Sequence, residues 1–114
     1  MKYMLQIRFN GADAVISKLP INEQEAIFAE FRAIGQLSGV LDGNQLQDTD
    51  TATTVRVHNG QTHLTEGPAV ESGSALDGYY LYDAPDLEAA IALAARIPAT
   101  QLGATVEVRP VVAQ

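Results

Sequence analysis

The sequence contains no cysteine and only seven basic side chains, against 14 acidic ones. Without cysteine the protein has no disulfide, no thiolate nucleophile and no sulfur-rich metal site. The lysines and arginines are scattered along the chain and the net charge is −7, so we do not expect the clustered phosphate contacts of a nucleic-acid-binding protein. No apolar run approaches the ~20 residues of a membrane helix, so we expect no membrane partner.

The chain also lacks targeting and linker features. The start, MKYMLQIRFNG, has no long apolar core before a small-residue cleavage site, which predicts a cytoplasmic protein. No linker, low-complexity tract or short repeat interrupts the 114 residues, so a single domain over 1–114 is predicted. Because small domains leave much apolar surface exposed, an oligomer is expected.

Hydrophobic periodicity predicts two helices and six strands, two of which form a hairpin. The helices are predicted at 22–38 and 86–97, and the strands at 2–9, 40–47, 53–65 (the hairpin), 78–83 and 104–112. The hairpin turns at Asn59-Gly60, the preferred pair for a two-residue type I′ turn. That turn fixes the register and sets Val55 opposite Leu64, Arg56 opposite His63 and His58 opposite Gln61.

Each predicted helix has one apolar face. In the first, Asn22 and Glu25 fit a capping box, and the apolar stripe consists of Ile27, Phe31, Ile34 and Leu37. In the second, the inward residues are predicted to be Leu87, Ile91 and Ala94. Both helices are expected to cover the same face of an antiparallel sheet.

The order β-α-β-hairpin-β-α-β predicts an α+β fold of the ferredoxin-like, split βαβ type with an inserted hairpin. In this plan the first strand lies between the last strand and the strand at 78–83. The sheet face away from the helices is then predicted to carry Gln6, Arg8, Tyr80, Tyr82, Glu107 and Arg109. This face is too polar for a core and too aromatic for idle surface, so a second subunit or a ligand is expected to cover it.

Five segments carry a resemblance to a known family: MKYMLQI at the start, ATTVRV at 52–57, EGP at 66–68, GYYLYDAPDLEAAIALAARIP at 78–98 and VEVRPV at 106–111. In these segments the chain resembles the YCII-related family, and within it the DGPF subgroup. The resemblance implies a ferredoxin-like domain that dimerises into an α/β barrel, and a possible link to alternative sigma factors. Two departures limit what carries over: the usual Asp-Gly-Pro-Phe is replaced by Glu66-Gly67-Pro68-Ala69, and the first helix has no histidine.

The main candidate site combines Arg8, Arg109 and Tyr80. Two guanidinium groups and a phenol on one sheet face would hold a carboxylate or phosphate, because arginine binds such anions in a bidentate manner. Tyr82 is predicted to pack at the same interface. The alternative is a salt-bridge network between subunits that involves Glu107 or other acidic residues.

The remaining candidates lie on the hairpin and beside the loop at 66–77. His63 opposite Arg56 is either a general base or a solvent-facing cross-strand pair. Glu66 lies at the start of the loop, which is expected to form the rim of a cleft. No metal or cofactor is predicted. Three functions stay open: a homodimer that binds a small anionic ligand, an enzyme without a cofactor in the same cleft, and a regulatory interaction module.

Overall fold

The computed structural model describes residues 1–9, 11–69 and 75–113. Its strands are β1 (Lys2–Arg8), β2 (Val40–Gln45), β3 (Thr53–His58), β4 (Gln61–Glu66), β5 (Leu76–Asp83) and β6 (Thr105–Pro110). Its helices are α1 (Ala12–Ser17), α2 (Ile21–Gly35) and α3 (Leu87–Arg96). The fold is α+β, as predicted. Residues 70–74 of the predicted loop lie outside the described residues, and so does the cleft rim expected there.

Four antiparallel strands form the main sheet, in the order β2-β5-β1-β6. The first and last strands are therefore neighbours, and β5 flanks β1 on the other side, as predicted. Leu5 is paired with Tyr80 of β5 and with Val108 of β6. Since directly paired residues lie on the same face of a sheet, this register decides which side chains face the helices.

The core lies between this sheet and the helices. The large side chains that are fully buried are Leu5 of β1, Ile34 of α2 and Ile97 after α3. Tyr3 and Ile7 extend the buried side of β1, and Val106 and Val108 of β6 pack against it. We call this side of the sheet the inner face. The opposite side, the outer face, carries Met4, Gln6, Arg8, Tyr79, Leu81, Glu107 and Arg109.

Of the three residues predicted to face inward on α3, Ala94 is buried, as predicted, and the other two are not. Leu87 and Ile91 are 48% and 51% exposed. The buried positions are Ala90, Leu93, Ala94 and Ile97, with the i, i+3, i+4, i+7 spacing of a helix face. The prediction followed the largest apolar residues, whereas small alanines let the helix lie close to the sheet.

The helix starts also differ. The predicted capping box at Asn22 and Glu25 is wrong, because α2 begins at Ile21 directly after Pro20 and no side chain caps it. The α3 start does have a side-chain cap, since the Asp86 carboxylate accepts a hydrogen bond of 2.8 Å from the Ala89 N–H. The short helix α1 was not predicted. Among the residues that the structure describes, no helix has the length and apolar character needed to cross a membrane.

The β3–β4 hairpin forms a separate two-stranded sheet, which we call the arm. Its register agrees with the prediction at every cross-strand pair, including Arg56 opposite His63. Asn59 and Gly60 have φ of 50° and 76°, as a type I′ turn requires. The radius of gyration is 15.9 Å, whereas a compact domain of this size has about 13 Å. Nearly every residue of β3 and β4 is exposed, so the arm extends away from the body.

Candidate functional site

A cavity of about 290 Å³ opens between the inner face of the sheet and the helices α1 and α2. We call it the cleft. Its lining residues are mostly apolar: Ile7, Phe9, Ala12, Ile16, Phe28, Phe31, Tyr80 and Ala99. Gln45 and Asp77 contribute polar groups. This volume is close to the lower limit of ordinary ligand pockets, which starts at about 300 Å³.

Helix α2 supplies one wall of the cleft through four positions at helical spacing. These are Phe28, Phe31, Arg32 and Gly35, which follow the i, i+3, i+4, i+7 pattern of one helix face. Phe28 is 41% exposed although it is aromatic, because it faces the open cavity instead of the packed core. Gly35 leaves space, since a Cβ atom built there meets nothing within 4 Å.

Tyr80 fixes the floor of the cleft. Its side chain is 6% exposed, and its hydroxyl donates a hydrogen bond of 2.8 Å to the Phe31 carbonyl oxygen of α2. The ring lies over Gly43 of β2, where a Cβ atom would come within 2.5 Å of it. Burial, with a smaller contribution from the Glu30 charge, raises the pKa of Tyr80 to about 12. The phenol therefore stays protonated at neutral pH.

Arg32 is the cationic group of the cleft. It is exposed and lines the cavity beside the aromatic residues of α2. Among the described residues it makes no ion pair; the described arginine pairs are Arg8 with Glu107 and Arg96 with Glu30. An unpaired guanidinium beside an apolar cavity can bind the carboxylate of a molecule whose remainder enters that cavity.

The predicted clamp is not assembled as expected. Tyr80 and Tyr82 lie on the inner face, because Tyr82 pairs with buried Tyr3 just as Tyr80 pairs with Leu5. Their predicted placement beside the outer-face arginines is therefore wrong. Ligand binding by these tyrosines stays a prediction.

The predicted arginines do lie on the outer face, but apart from each other. Arg109 pairs with Met4, four positions along β1 from Arg8, which is about 13 Å. The Arg8 Nε lies 3.4 Å from a carboxylate oxygen of Glu107, without the geometry of a hydrogen bond. Arg8 and Arg109 lie on the opposite side of the sheet from Tyr80. An anion site on the outer face would therefore use partners other than Tyr80.

The other candidates are on the arm. Arg56 and His63 face each other across β3 and β4 and are both exposed, which agrees with a solvent-facing pair. Glu66 is the last residue of β4 and is also exposed. Across the described ranges, no three His, Asp or Glu side chains are arranged to hold a metal ion.

Sequence reasoning missed the residues that form the cleft. Arg32 stands out in the sequence only as a charge within the apolar line of Phe28, Phe31 and Gly35. Its position beside a cavity depends on how α2 packs, which no local pattern reveals. The pairing of Tyr80 with Gly43 did carry a signal, because a glycine in a strand often marks close approach of a large neighbour.

These features define a small α+β protein with an aromatic cleft between its helices and its sheet. The family comparison agrees: the chain belongs to the YCII-related domain family, whose model matches residues 1–113. No curated protein matches the chain.

Proposed function

We propose that this protein binds a small, mainly apolar molecule with one negative group in the cleft, and that it does so as a homodimer. The observation that carries the proposal is the Arg32 guanidinium, which forms no ion pair with any described residue and lies beside an aromatic cavity. An aromatic ring fits such a lining, since a dry cavity of roughly 150 Å³ already accommodates benzene. The ligand class is therefore an aromatic or branched apolar acid.

The role of Tyr80 in this proposal is to shape the cleft. Its hydroxyl is occupied by the Phe31 carbonyl, and its pKa of about 12 keeps it neutral. A general base needs a pKa near the working pH. Proton abstraction by Tyr80 is therefore disfavoured, and ligand binding is the function that the geometry favours.

The homodimer is proposed to form through the outer face. Two buried atoms there, Gln6 Oε1 and Arg8 Nε, have no hydrogen-bond partner among the described residues. Such atoms cost free energy unless their side chains rearrange on association and meet a partner. The strand order β2-β5-β1-β6 supports a ferredoxin-like plan in which two outer faces stack into an α/β barrel. In this arrangement Arg8 and Arg109 belong to the subunit interface.

Within the family we assign the chain to the neighbourhood of the DGPF subgroup. The support is the run GYYLYDAPDLEAAIALAARIP, which covers β5 and α3. The altered Glu66-Gly67-Pro68-Ala69 follows the arm instead of lining the cleft, so its departure from Asp-Gly-Pro-Phe leaves the proposed ligand site intact.

The test is a titration with benzoate and phenylacetate, with benzyl alcohol as the uncharged comparison, followed by NMR chemical shifts or calorimetry. We expect the two acids to bind and the alcohol to bind at least tenfold more weakly. Arg32→Gln removes the charge and is expected to weaken benzoate at least tenfold. Gly35→Leu fills the cleft and is expected to abolish binding, because the space beside Gly35 is open.

Arg109→Gln is the matched control, since it removes an arginine from the outer face. We expect it to leave benzoate affinity unchanged within twofold. If Arg109→Gln weakens benzoate while Arg32→Gln does not, the ligand lies on the outer face and the cleft proposal is wrong. If neither acid shifts any resonance of the cleft residues at millimolar concentration, the ligand class is wrong.

A further inference from the structure

Gly35 is the one described glycine whose backbone and neighbours give no reason for a missing side chain. The structure describes eight glycines, and five of them have a positive φ, which other residues rarely adopt. Gly43 has no room for a side chain, because a Cβ atom would lie 2.5 Å from the Tyr80 ring. At Gly78 a Cβ atom would lie 2.9 Å from the backbone oxygen of Asn44. Gly35 has neither a positive φ nor a neighbour within 4 Å of an added Cβ atom.

Gly35 is also unfavourable for the helix that contains it. It is the last residue of α2, and Gln36 after it keeps right-handed backbone angles. Glycine is favoured beyond a helix end, where the chain takes the left-handed conformation. Within the helix it is a poorer choice than alanine, because it loses more backbone freedom. Helix stability therefore favours alanine at position 35, and the glycine needs another reason.

The space beside Gly35 is part of the cleft. Gly35 lines the cavity together with Phe28, which lies seven positions earlier on α2. Because seven residues make almost two full turns, a side chain at position 35 would project in nearly the same direction as the Phe28 ring. A methyl group at position 35 would therefore occupy part of the cavity.

The cleft is larger than one aromatic ring requires. Its volume is about 290 Å³, whereas a dry cavity of roughly 150 Å³ already accommodates benzene. A ligand with a single ring would leave about half of the cleft empty, and apolar atoms beside a gap lose their dispersion attraction. The volume therefore fits a ligand with a second ring.

Arg32 and Gly35 lie close enough for one such ligand to reach both. Both residues line the cavity, and a separation of three positions is a rise of about 4.5 Å along the helix axis. A carboxylate bound by the Arg32 guanidinium thus has its apolar part within about one helical turn of Gly35.

We propose that Gly35 determines the size of the ligand: the space left by its missing side chain accommodates the second ring of a bicyclic aromatic acid whose carboxylate binds Arg32. The ligand class is therefore that of the naphthoates. This inference rests on the proposed binding of an aromatic acid in the cleft, and it is independent of the homodimer.

The first test compares 2-naphthoate with benzoate, which carries the same charge and one ring fewer. Wild type is expected to bind 2-naphthoate at least fivefold more tightly, because the second ring buries more apolar surface. Gly35→Ala is expected to weaken 2-naphthoate at least fivefold and benzoate less than twofold. Calorimetry measures the four dissociation constants.

Ala33→Leu is the matched control. It adds a larger group to the exposed surface of the same helix, at a position that does not line the cleft. We expect both affinities to stay within twofold of wild type. Urea unfolding of Gly35→Ala excludes misfolding as the cause of weaker binding, since alanine is expected to leave α2 at least as stable as before.

The second test locates the second ring directly. In the complex with 2-naphthoate, we expect NMR cross-relaxation between the protons of the unsubstituted ring and the Hα protons of Gly35. Contacts of that ring with helix α1 alone would overturn the role of Gly35.

The results also separate this inference from the proposed function. If benzoate binds to wild type and 2-naphthoate binds no more tightly, the size role of Gly35 is wrong and the acid site stands. The same holds if Gly35→Ala weakens both acids equally or leaves 2-naphthoate unchanged. If neither acid binds in the cleft of wild type, both proposals are wrong.

Discussion

Tyr79 and Tyr80 are neighbours in sequence, yet their hydroxyl groups lie in opposite environments. The Tyr80 hydroxyl donates to the Phe31 carbonyl of α2 and the residue is almost completely buried. The Tyr79 hydroxyl donates to the Asp42 carboxylate at 2.9 Å and accepts from the Asn44 amide at 2.9 Å. On the inner face, the Tyr80 hydroxyl thus connects the sheet to helix α2. On the outer face, the Tyr79 hydroxyl connects side chains of neighbouring strands within the sheet.

The two faces are expected to serve different purposes: the inner face stabilises the fold and the outer face contacts another molecule. On the inner face a polar group is committed to the backbone of a helix, so a change there alters the fold. On the outer face the groups are partly exposed, and within the described ranges the Gln6 Oε1 atom has no hydrogen-bond partner. Changes on the outer face should therefore affect self-association more than folding.

The largest expected effect is that of Leu5→Ala on the inner face. Leu5 is 0% exposed, and truncation of a buried leucine costs about 2–5 kcal/mol of unfolding free energy. Met4→Ala, one position away on the outer face, is the control. Urea unfolding at two protein concentrations measures both losses.

The concentration dependence sharpens this comparison. The loss in Leu5→Ala should not depend on protein concentration, because the side chain packs within one chain. The loss in Met4→Ala should be smaller in dilute samples and grow with concentration if the outer face is an interface. Equal losses at all concentrations would contradict the assignment of the two faces.

Gly43→Ala should destabilise the protein next most strongly. Its Cβ atom would lie 2.5 Å from the Tyr80 ring, which is held in place by its hydrogen bond to Phe31. Overpacking of this kind costs about 1–3 kcal/mol. Gly35→Ala is the control, since its Cβ meets nothing within 4 Å and alanine favours a helix by up to about 1 kcal/mol.

A double-mutant cycle checks the cause. If the Tyr80 ring produces the cost, Gly43→Ala should be nearly neutral in a Tyr80→Ala background. A cost that persists in that background would mean that the strand pairing of β2 and β5 is disturbed instead.

Tyr80→Phe should cost about 1 kcal/mol at neutral pH, because it removes a hydrogen bond and leaves the Phe31 carbonyl without its donor. Tyr79→Phe should cost less, since its hydroxyl is exposed and the Asp42 carboxylate can bind water. Thermal or urea unfolding of the two variants measures the difference between the faces. Equal costs would mean that the two hydroxyl groups are equally solvated.

The pH dependence of the same variant has a definite sign. The pKa of Tyr80 is raised from 10.0 to about 12 in the folded protein, so between these values the unfolded chain loses a proton that the folded chain keeps. Stability contributed by the neutral phenol is therefore complete below pH 10 and is lost as the pH rises towards 12. Wild type should lose more stability than Tyr80→Phe over this range. Parallel profiles would contradict the shifted pKa.

Features that depend on residues close together in the sequence were predicted correctly. Features that depend on contacts between distant residues were not. The arm was predicted pair by pair, because Asn59-Gly60 fixes its register locally. In β5, alternation separated Tyr79 from Tyr80 but did not say which faces the helices. Pairing with Leu5 of β1 decides that, and it is a contact between positions 75 residues apart.

The cleft could not be predicted for a related reason. Large apolar residues were expected inside, yet Leu87 and Ile91 are half-exposed while Ala90 and Ala94 are buried. The distance between a helix and the sheet decides whether a large or a small side chain fits between them. That distance depends on the packing of all the elements together. Arg32 likewise lies beside a cavity only because α1 and α2 leave space above the sheet.

The smallest effect is expected for Glu107→Gln on the outer face. Its pair with the Arg8 Nε, at 3.4 Å, is partly exposed, and exposed ion pairs contribute about 0–1 kcal/mol. Unfolding in dilute samples should therefore change by less than ~0.5 kcal/mol, whereas the dimer dissociation constant should change, because the charge lies on the proposed interface. A large loss of stability in the monomer, with self-association unaffected, would reverse the distinction between the two faces.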